Sequence, residues 1–219
     1  MAHRDIILPI ESMGAKPEIR RIRASDLKDA LRKGWDDFVA MPTHVIFLSL
    51  IYPVIGILIY FATVGYDLIP LLYPLASGFA LIGPFAAIGL YELSRRREAG
   101  LDTTWSHAFD VVHSPSFPAI VGLGALLFGL LFAWLVAADT IYGANFGREH
   151  QSSLTAFLHT VLTTPEGRTL AIVGNVVGFL FAVLAFSLSV VSFPLLFDRH
   201  VGLATAMAAS LEAVAKNPV

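Results

Sequence analysis

Few side chains in this sequence are equipped for chemistry, and their positions limit what they can do. The seven histidines are His3, His44, His107, His113, His150, His159 and His200. A haem centre inside a membrane needs axial imidazoles facing one another from within long apolar segments. None of the seven lies inside such a segment, and His44 sits at an edge. Cysteine is absent, which removes disulfides, thiolate nucleophiles, iron–sulfur clusters, covalently attached haem and Cys-ligated copper or zinc. Glu149, His150, His159 and Glu166 have metal-capable side chains, but their spacing matches no dedicated site. No GxSxG, HExxH, P-loop or nucleotide fingerprint occurs. The sequence therefore predicts no enzyme, no catalytic residue, no metal site and no cofactor of its own.

Two other kinds of pattern carry information. Gly174-Asn175-Val176-Val177-Gly178 is a GxxxG with an asparagine inside it, and Ala125 with Gly129 and Gly83 with Ala87 repeat the small-xxx-small spacing. Such spacing lets helix backbones touch, and Asn175 in that setting would bond across to another helix, within the chain or between chains. Charged residues form the second pattern. Glu92 precedes Arg95 and Arg96 by three and four residues, Arg97 follows, and Asp198-Arg199-His200 occupies an equivalent boundary. Arg95, Arg96, Arg97 and Arg199 act either as topology determinants or as a lipid-phosphate site.

The elements that must position these residues follow from composition. Of 219 residues, 56 % are hydrophobic and 15 % charged, against about 25 % charged in a soluble chain. That is too little polar surface for a water-soluble shell, so the apolar excess faces lipid. A net charge of −2 gives no reason to expect nucleic acid. Charge-free stretches of bilayer length, about 20 residues, occur four times: His44 to Val64, Leu68 to Tyr91, Pro118 to Ala138 and Thr169 to Phe197. Pro53, Pro74, Pro84 and Pro194 fall within them and are expected to kink them.

Thirteen Lys and Arg lie on the side of the two termini and only two in the loop from Asp139 to Arg168. This positive-inside bias predicts cytoplasmic termini and a multi-pass protein of the inner membrane. The polar N-terminus has no short apolar core or cleavage site, so no signal peptide is expected. In the outer loop, Ser152 or Ser153 is placed to cap a short helix bearing Leu154, Phe157, Leu158, Val161 and Leu162, and Thr164-Pro165-Glu166 to begin the fourth span.

An apolar stripe at Leu27, Ala30, Leu31, Gly34, Trp35, Phe38 and Val39 precedes the first span. A shorter one, Leu101, Trp105, Ala108, Phe109 and Val112, precedes the third, and another, Leu203, Ala204, Met207, Ala208, Leu211, Val214 and Ala215, lies at the C-terminus. Each reads as an amphipathic surface helix followed by a proline, with Trp35, Phe38, Trp105 and Phe109 as interfacial anchors. The expected organisation is a basic cytoplasmic segment over 1–24, then a first repeat over 25–97 with spans 44–64 and 68–91. A second repeat over 98–199 holds spans 118–138 and 169–197 and the outer loop 139–168, and 200–219 opens a third repeat that lacks its hairpin. The fold expected is all-α: a polytopic membrane protein with four transmembrane helices in two hairpins, amphipathic interfacial helices and a parallel internal repeat.

The segments ASGFALIGPFAAIGLYELSRRREAGL (Ala76 to Leu101), LTTPEGRTL (Leu162 to Leu170), VGNVVGFLFA (Val173 to Ala182) and SFPLLFDRHVG (Ser192 to Gly202) resemble a bacterial integral-membrane family known only as a domain of unknown function. The likeness runs from about Ile19 to the C-terminus. It implies a further hairpin after Asn217-Pro218, in line with truncation. Some relatives carry the label of a cytochrome c oxidase subunit, which implies an accessory or assembly role beside a redox subunit. The expected partners are membrane lipids and subunits of a respiratory oxidase or another membrane complex. A small transporter or channel built from the hairpin repeats is the alternative, with a cavity reaching Asn175 or the Gly83-Pro84 break as its mark. A lipid-binding protein, using the Trp35 and Trp105 helices and the arginines, is a third reading.

Overall fold

The computed structural model describes residues 18–40, 50, 53–61, 63, 68–79, 87–147, 153–199 and 201–218, and every regular element among them is helical. They divide into two compact units. One draws on Met1–Ala40, Ala87–Leu123 and Ser187–Val219, the other on Met41–Ala86 and Gly124–Phe186.

In the first unit, α1 (Ala24–Ala40) follows the periodicity of its apolar stripe. Asp26 accepts the Arg23 N–H at 2.8 Å and closes its first turn. Helix α3 (Ile88–Glu98) ends in a Schellman turn, with the Leu101 N–H on the Arg96 carbonyl, the Gly100 N–H on that of Arg97, and Gly100 at φ +68°. The stripe from Leu101 to Val112 forms a 3-10 helix over Trp105–His113 rather than the α-helix expected from Leu101. Asp102 is the reason. Its carboxylate accepts the backbone N–H and hydroxyl of Thr104, while its carbonyl accepts Arg96 Nε at 2.7 Å, so the local polar bonds prevail over a helical start.

The expected fourth span is two helices, α6 (Pro165–Ser189) and α7 (Ser192–Asp198). Pro194 lacks the N–H that would continue the ladder across the junction. Ser192 Oγ donates to the Leu188 carbonyl at 2.6 Å, and the Val191 N–H is taken by Ser210 Oγ of α8 (Leu203–Lys216) at 3.2 Å. Helix α8 buries Ala206, Ala209, Ser210 and Ala213; of the expected stripe, Leu203, Met207 and Val214 are half-buried and Ala204, Ala208, Leu211 and Ala215 face outward. Small side chains allow close packing and the buried serine supplies the bond, so the stripe is left at the margin of the packed face. Leu93, Ile120, Leu123, Phe193 and Leu196 complete this core.

In the second unit, residues 53–61 are helical. A 3-10 turn over Ile69–Leu71 leads into α2 (Leu72–Phe79). Helix α4 (Phe117–Phe146) runs eight residues past the expected end of the third span, carrying Asp139 within it. Helix α5 (Leu154–Thr163) begins as expected at Ser153, whose hydroxyl accepts the Ala156 N–H at 3.2 Å. Thr164 Oγ1 accepts the Gly167 N–H at 3.0 Å and Pro165 takes the first turn of α6. A side chain at Gly167 would stand 2.5 Å from the Thr160 carbonyl oxygen and the Val161 Cα, so only glycine permits this close α5–α6 approach. Ile69, Tyr142 and Phe157 form a small core with Phe146, Leu154, Val161 and Leu170 around it.

Two helical runs among the described residues are long and apolar enough to cross a membrane, α4 (Phe117–Phe146) and α6 continued through α7 (Pro165–Asp198). The remaining parts of the first two expected spans, with His44 and the Gly83-Pro84 pair, lie outside the described residues.

Candidate functional site

Two places gather polar groups against apolar walls, one in each unit. The first is built on α3. Glu92 is 5 % exposed, and its carboxylate receives Arg95 through two parallel bonds, from Nε at 2.8 Å and Nη2 at 2.7 Å. This bidentate pairing holds the charged guanidinium and raises the Arg95 pKa above its ordinary value, with burial opposing. Arg96 Nη1 lies 3.8 Å from the same carboxylate and donates to Asp110 Oδ2 at 3.2 Å. Asp110 in turn meets His107 Nδ1 at 2.7 Å, and His107 Nε2 faces Asp102 at 3.3 Å. The Thr104 hydroxyl and N–H, and then His107, hold the Asp102 carboxyl below the usual aspartate range. The chain Glu92, Arg96, Asp110, His107, Asp102 thus locks α3 to the 3-10 helix. A polar cavity of about 440 Å³ opens beside it, lined by Glu92, Arg95, Arg96, Asp110, Val111, His113, Ser114, Phe197 and Asp198.

Arg97 lies apart from that cavity. It pairs with Asp37 of α1, which also accepts the Ser94 hydroxyl, and Lys33 reaches Glu98 at 3.5 Å. These bonds fasten the polar side of α1 to α3. The opposite stripe is exposed, with Trp35 at 65 % and stacked on Phe38, and Leu27, Leu31 and Val39 also open. Arg199 sits 3.6 Å from Asp198. Each of the four arginines expected to act together therefore has a carboxylate neighbour, and they do not converge on one point.

In the second unit the organising residue is Trp134, only 4 % exposed. A Cβ on Gly78 would come within 2.4 Å of Leu131 Cδ1 and 3.1 Å of the pyrrole edge of the indole, and one on Gly178 within 3.0 Å of the benzo edge. Glycines on α2 and α6 thus make room for the Trp134 ring, and that on α2 for Leu131 as well, and Phe181 tilts against the indole at 5.8 Å. The indole N–H donates to the Pro74 carbonyl at 3.0 Å. Asn175 Oδ1 accepts the Tyr73 hydroxyl at 2.8 Å and its amide donates to the Ala171 carbonyl at 2.7 Å. Two largely apolar cavities, of about 250 and 240 Å³, share Tyr73, Trp134, Gly174 and Asn175 in their walls.

Of the residues expected to pack helices, Gly178 contacts Trp134 and Asn175 bonds to α2, whereas Gly174 and Gly129 have open space where a side chain would be. Ala125 is exposed on α4, Ala87 precedes α3, and Gly83 lies outside the described residues, as does the Trp105 side chain. Phe109 is exposed. Trp134 and Gly78 were not singled out by spacing, since Gly78 has no small partner four residues away and a tryptophan in an apolar run looks like any other core residue. Among the described residues, no group of three or more acidic or histidine side chains is placed to hold a metal.

A family model described as "Predicted integral membrane protein (DUF2189)" matches residues 72–198. No curated protein and no solved structure matches the chain.

Proposed function

The chain belongs to the DUF2189 family of predicted integral membrane proteins, and on that premise we propose that it works through contact, as an accessory, assembly or stabilising component of a larger membrane complex. The observation that carries this reading is the extent of apolar side chain left outward on the two bilayer-length helices, with Phe132, Val136, Ile172, Val176 and Phe179 all exposed. Such faces suit lipid tails and neighbouring helices alike. In this reading the protein sits in the bacterial inner membrane with four spans in two parallel hairpin repeats and cytoplasmic termini, and a respiratory oxidase is the first partner to test. The α1 stripe lies along the membrane surface, anchored by Trp35 and Phe38.

The test is purification of the tagged protein from its native membrane in mild detergent, followed by native gel, visible spectrum and mass spectrometry on one sample. Stoichiometric haem-containing subunits are the expected result. A colourless particle without partners would overturn it.

A transporter or channel is the second reading, favoured by the two cavities that meet at Asn175. Because the chain has no cysteine, Gly174→Cys gives a unique probe. Labelling by a water-soluble thiol reagent in intact membranes supports transport, and protection from it favours the accessory role.

A further inference from the structure

The cavity beside α3 combines features that together specify a ligand class. Arg95 spends Nε and Nη2 on Glu92, and Arg96 spends Nε on the Asp102 carbonyl and Nη1 on Asp110 and Glu92. Among the described residues, each guanidinium thus keeps a third nitrogen for a phosphate oxygen. Asp110 engages its neighbours through Oδ2, and Asp198 meets Arg199 through Oδ2, so among the described residues each carboxylate keeps an oxygen in reserve. The lining holds two arginines against Glu92, Asp110 and Asp198, a slight excess of negative charge. An anion alone would add to that excess and compete with the bidentate Glu92 pair. A ligand carrying an anion and a cation a few bonds apart meets both sets of groups at no net cost in charge. Val111 and Phe197 supply apolar wall, and about 440 Å³ lies within the range of small-molecule sites.

We propose that this cavity binds a zwitterionic phosphate–primary ammonium group, the headgroup of phosphatidylethanolamine, with phosphate on Arg95 and Arg96 and ammonium on Asp198 and Asp110. The ammonium is primary because carboxylate oxygens ask for N–H donors, which a quaternary choline lacks. The proposal rests on the topology given above, which sets Arg95 to Arg97 and Asp198 at the cytoplasmic headgroup level.

The experiment uses the full chain in detergent, with native mass spectrometry after addition of phosphatidylethanolamine, phosphatidylcholine or phosphatidylglycerol of matched acyl chains. Ethanolamine lipid is expected to be retained about tenfold over the other two. Asp198→Asn, an exposed position with little bearing on folding, should erase its advantage over choline lipid, and Arg96→Gln should lower binding of both. Arg97→Gln, whose arginine lies outside the cavity, should change neither. Equal or stronger retention of phosphatidylglycerol, or no headgroup preference, would overturn the proposal and leave the cluster as a structural ion-pair network. Soluble phosphoethanolamine that binds without lipid and with the same variant sensitivity supports the site but names a soluble source. Topology is read separately from Lys216→Cys, labelled by an impermeant thiol reagent in vesicles of either orientation, so a failed topology and a failed site give different results.

Discussion

The two units of the chain are held together by different physics. In the first, charged residues are joined directly: Asp37 to Arg97 and Arg96 to Asp110 across elements, and Glu92 to two arginines of its own helix. In the second, the decisive contact is shape, an indole fitted between Gly78 and Gly178, with one polar pair, Tyr73 and Asn175, beside it. A membrane protein meets two solvents, and each favours one of these modes. Among lipid tails, burying apolar surface gains little, so close packing and a few hydrogen bonds must fix the helices. Where water is near, charged groups are easily hydrated, and only pairs that are partly buried and well oriented contribute much.

That contrast is sharpest at Trp134. Trp134→Ala should cost about 3–5 kcal/mol, the usual loss for a buried tryptophan, seen as a large fall in thermal unfolding temperature in detergent. If the loss were under about 1 kcal/mol, shape would not be what holds this unit. Glu92→Gln tests the other unit, and about 1.5–3 kcal/mol is expected, since charged hydrogen bonds are lost while half-exposed Arg95 regains water. Its effect should weaken in high salt, and that of Trp134→Ala should not.

Gly167→Ala should cost about 1–3 kcal/mol, because the added methyl meets backbone that cannot turn aside. A smaller difference separates two glycines of one motif. Gly174→Ala, in open space, should be neutral or stabilising by up to about 1 kcal/mol through helix propensity, whereas Gly178→Ala should lose that gain against the Trp134 ring. Equal effects at the two positions would mean that the motif packs against something other than Trp134. The smallest expected effect is in acid. The Asp102 carboxyl is held below its usual range, so its contribution is complete above about pH 4 and fades as the pH falls through the lowered value. Amide exchange at Thr104 should rise over that interval and stay flat above it.

Much of the secondary structure was legible beforehand. Helix α1, the Ser153 cap, the Thr164-Pro165 start of α6 and the helix over 203–216 all follow from local rules, because capping and periodicity act over a few residues. The break at Val190 and Val191 was half legible: Pro194 announced a defect, but the use of Ser210 to satisfy the freed N–H needed α8 in place. Of the candidate site residues, Gly178 and Asn175 carried their spacing as a signal, and Glu92 its offset from Arg95 and Arg96. Gly78, Trp134, Asp37 and Asp110 carried none, since their partners lie on other elements.

Composition and charge distribution by themselves determined an all-helical chain of the membrane, because lipid requires long uncharged segments with their backbone bonds satisfied internally. Family membership was likewise readable from the strings that the sequence carries. Which face each helix buries was decided by tertiary structure alone. In α8 the small residues went inward and the apolar stripe only in part, and four arginines that look alike in sequence were given different partners. Periodicity records only that a face is apolar, and in a membrane an apolar face is at home against lipid or protein, so the choice falls to fit and to the bonds a neighbouring helix can supply.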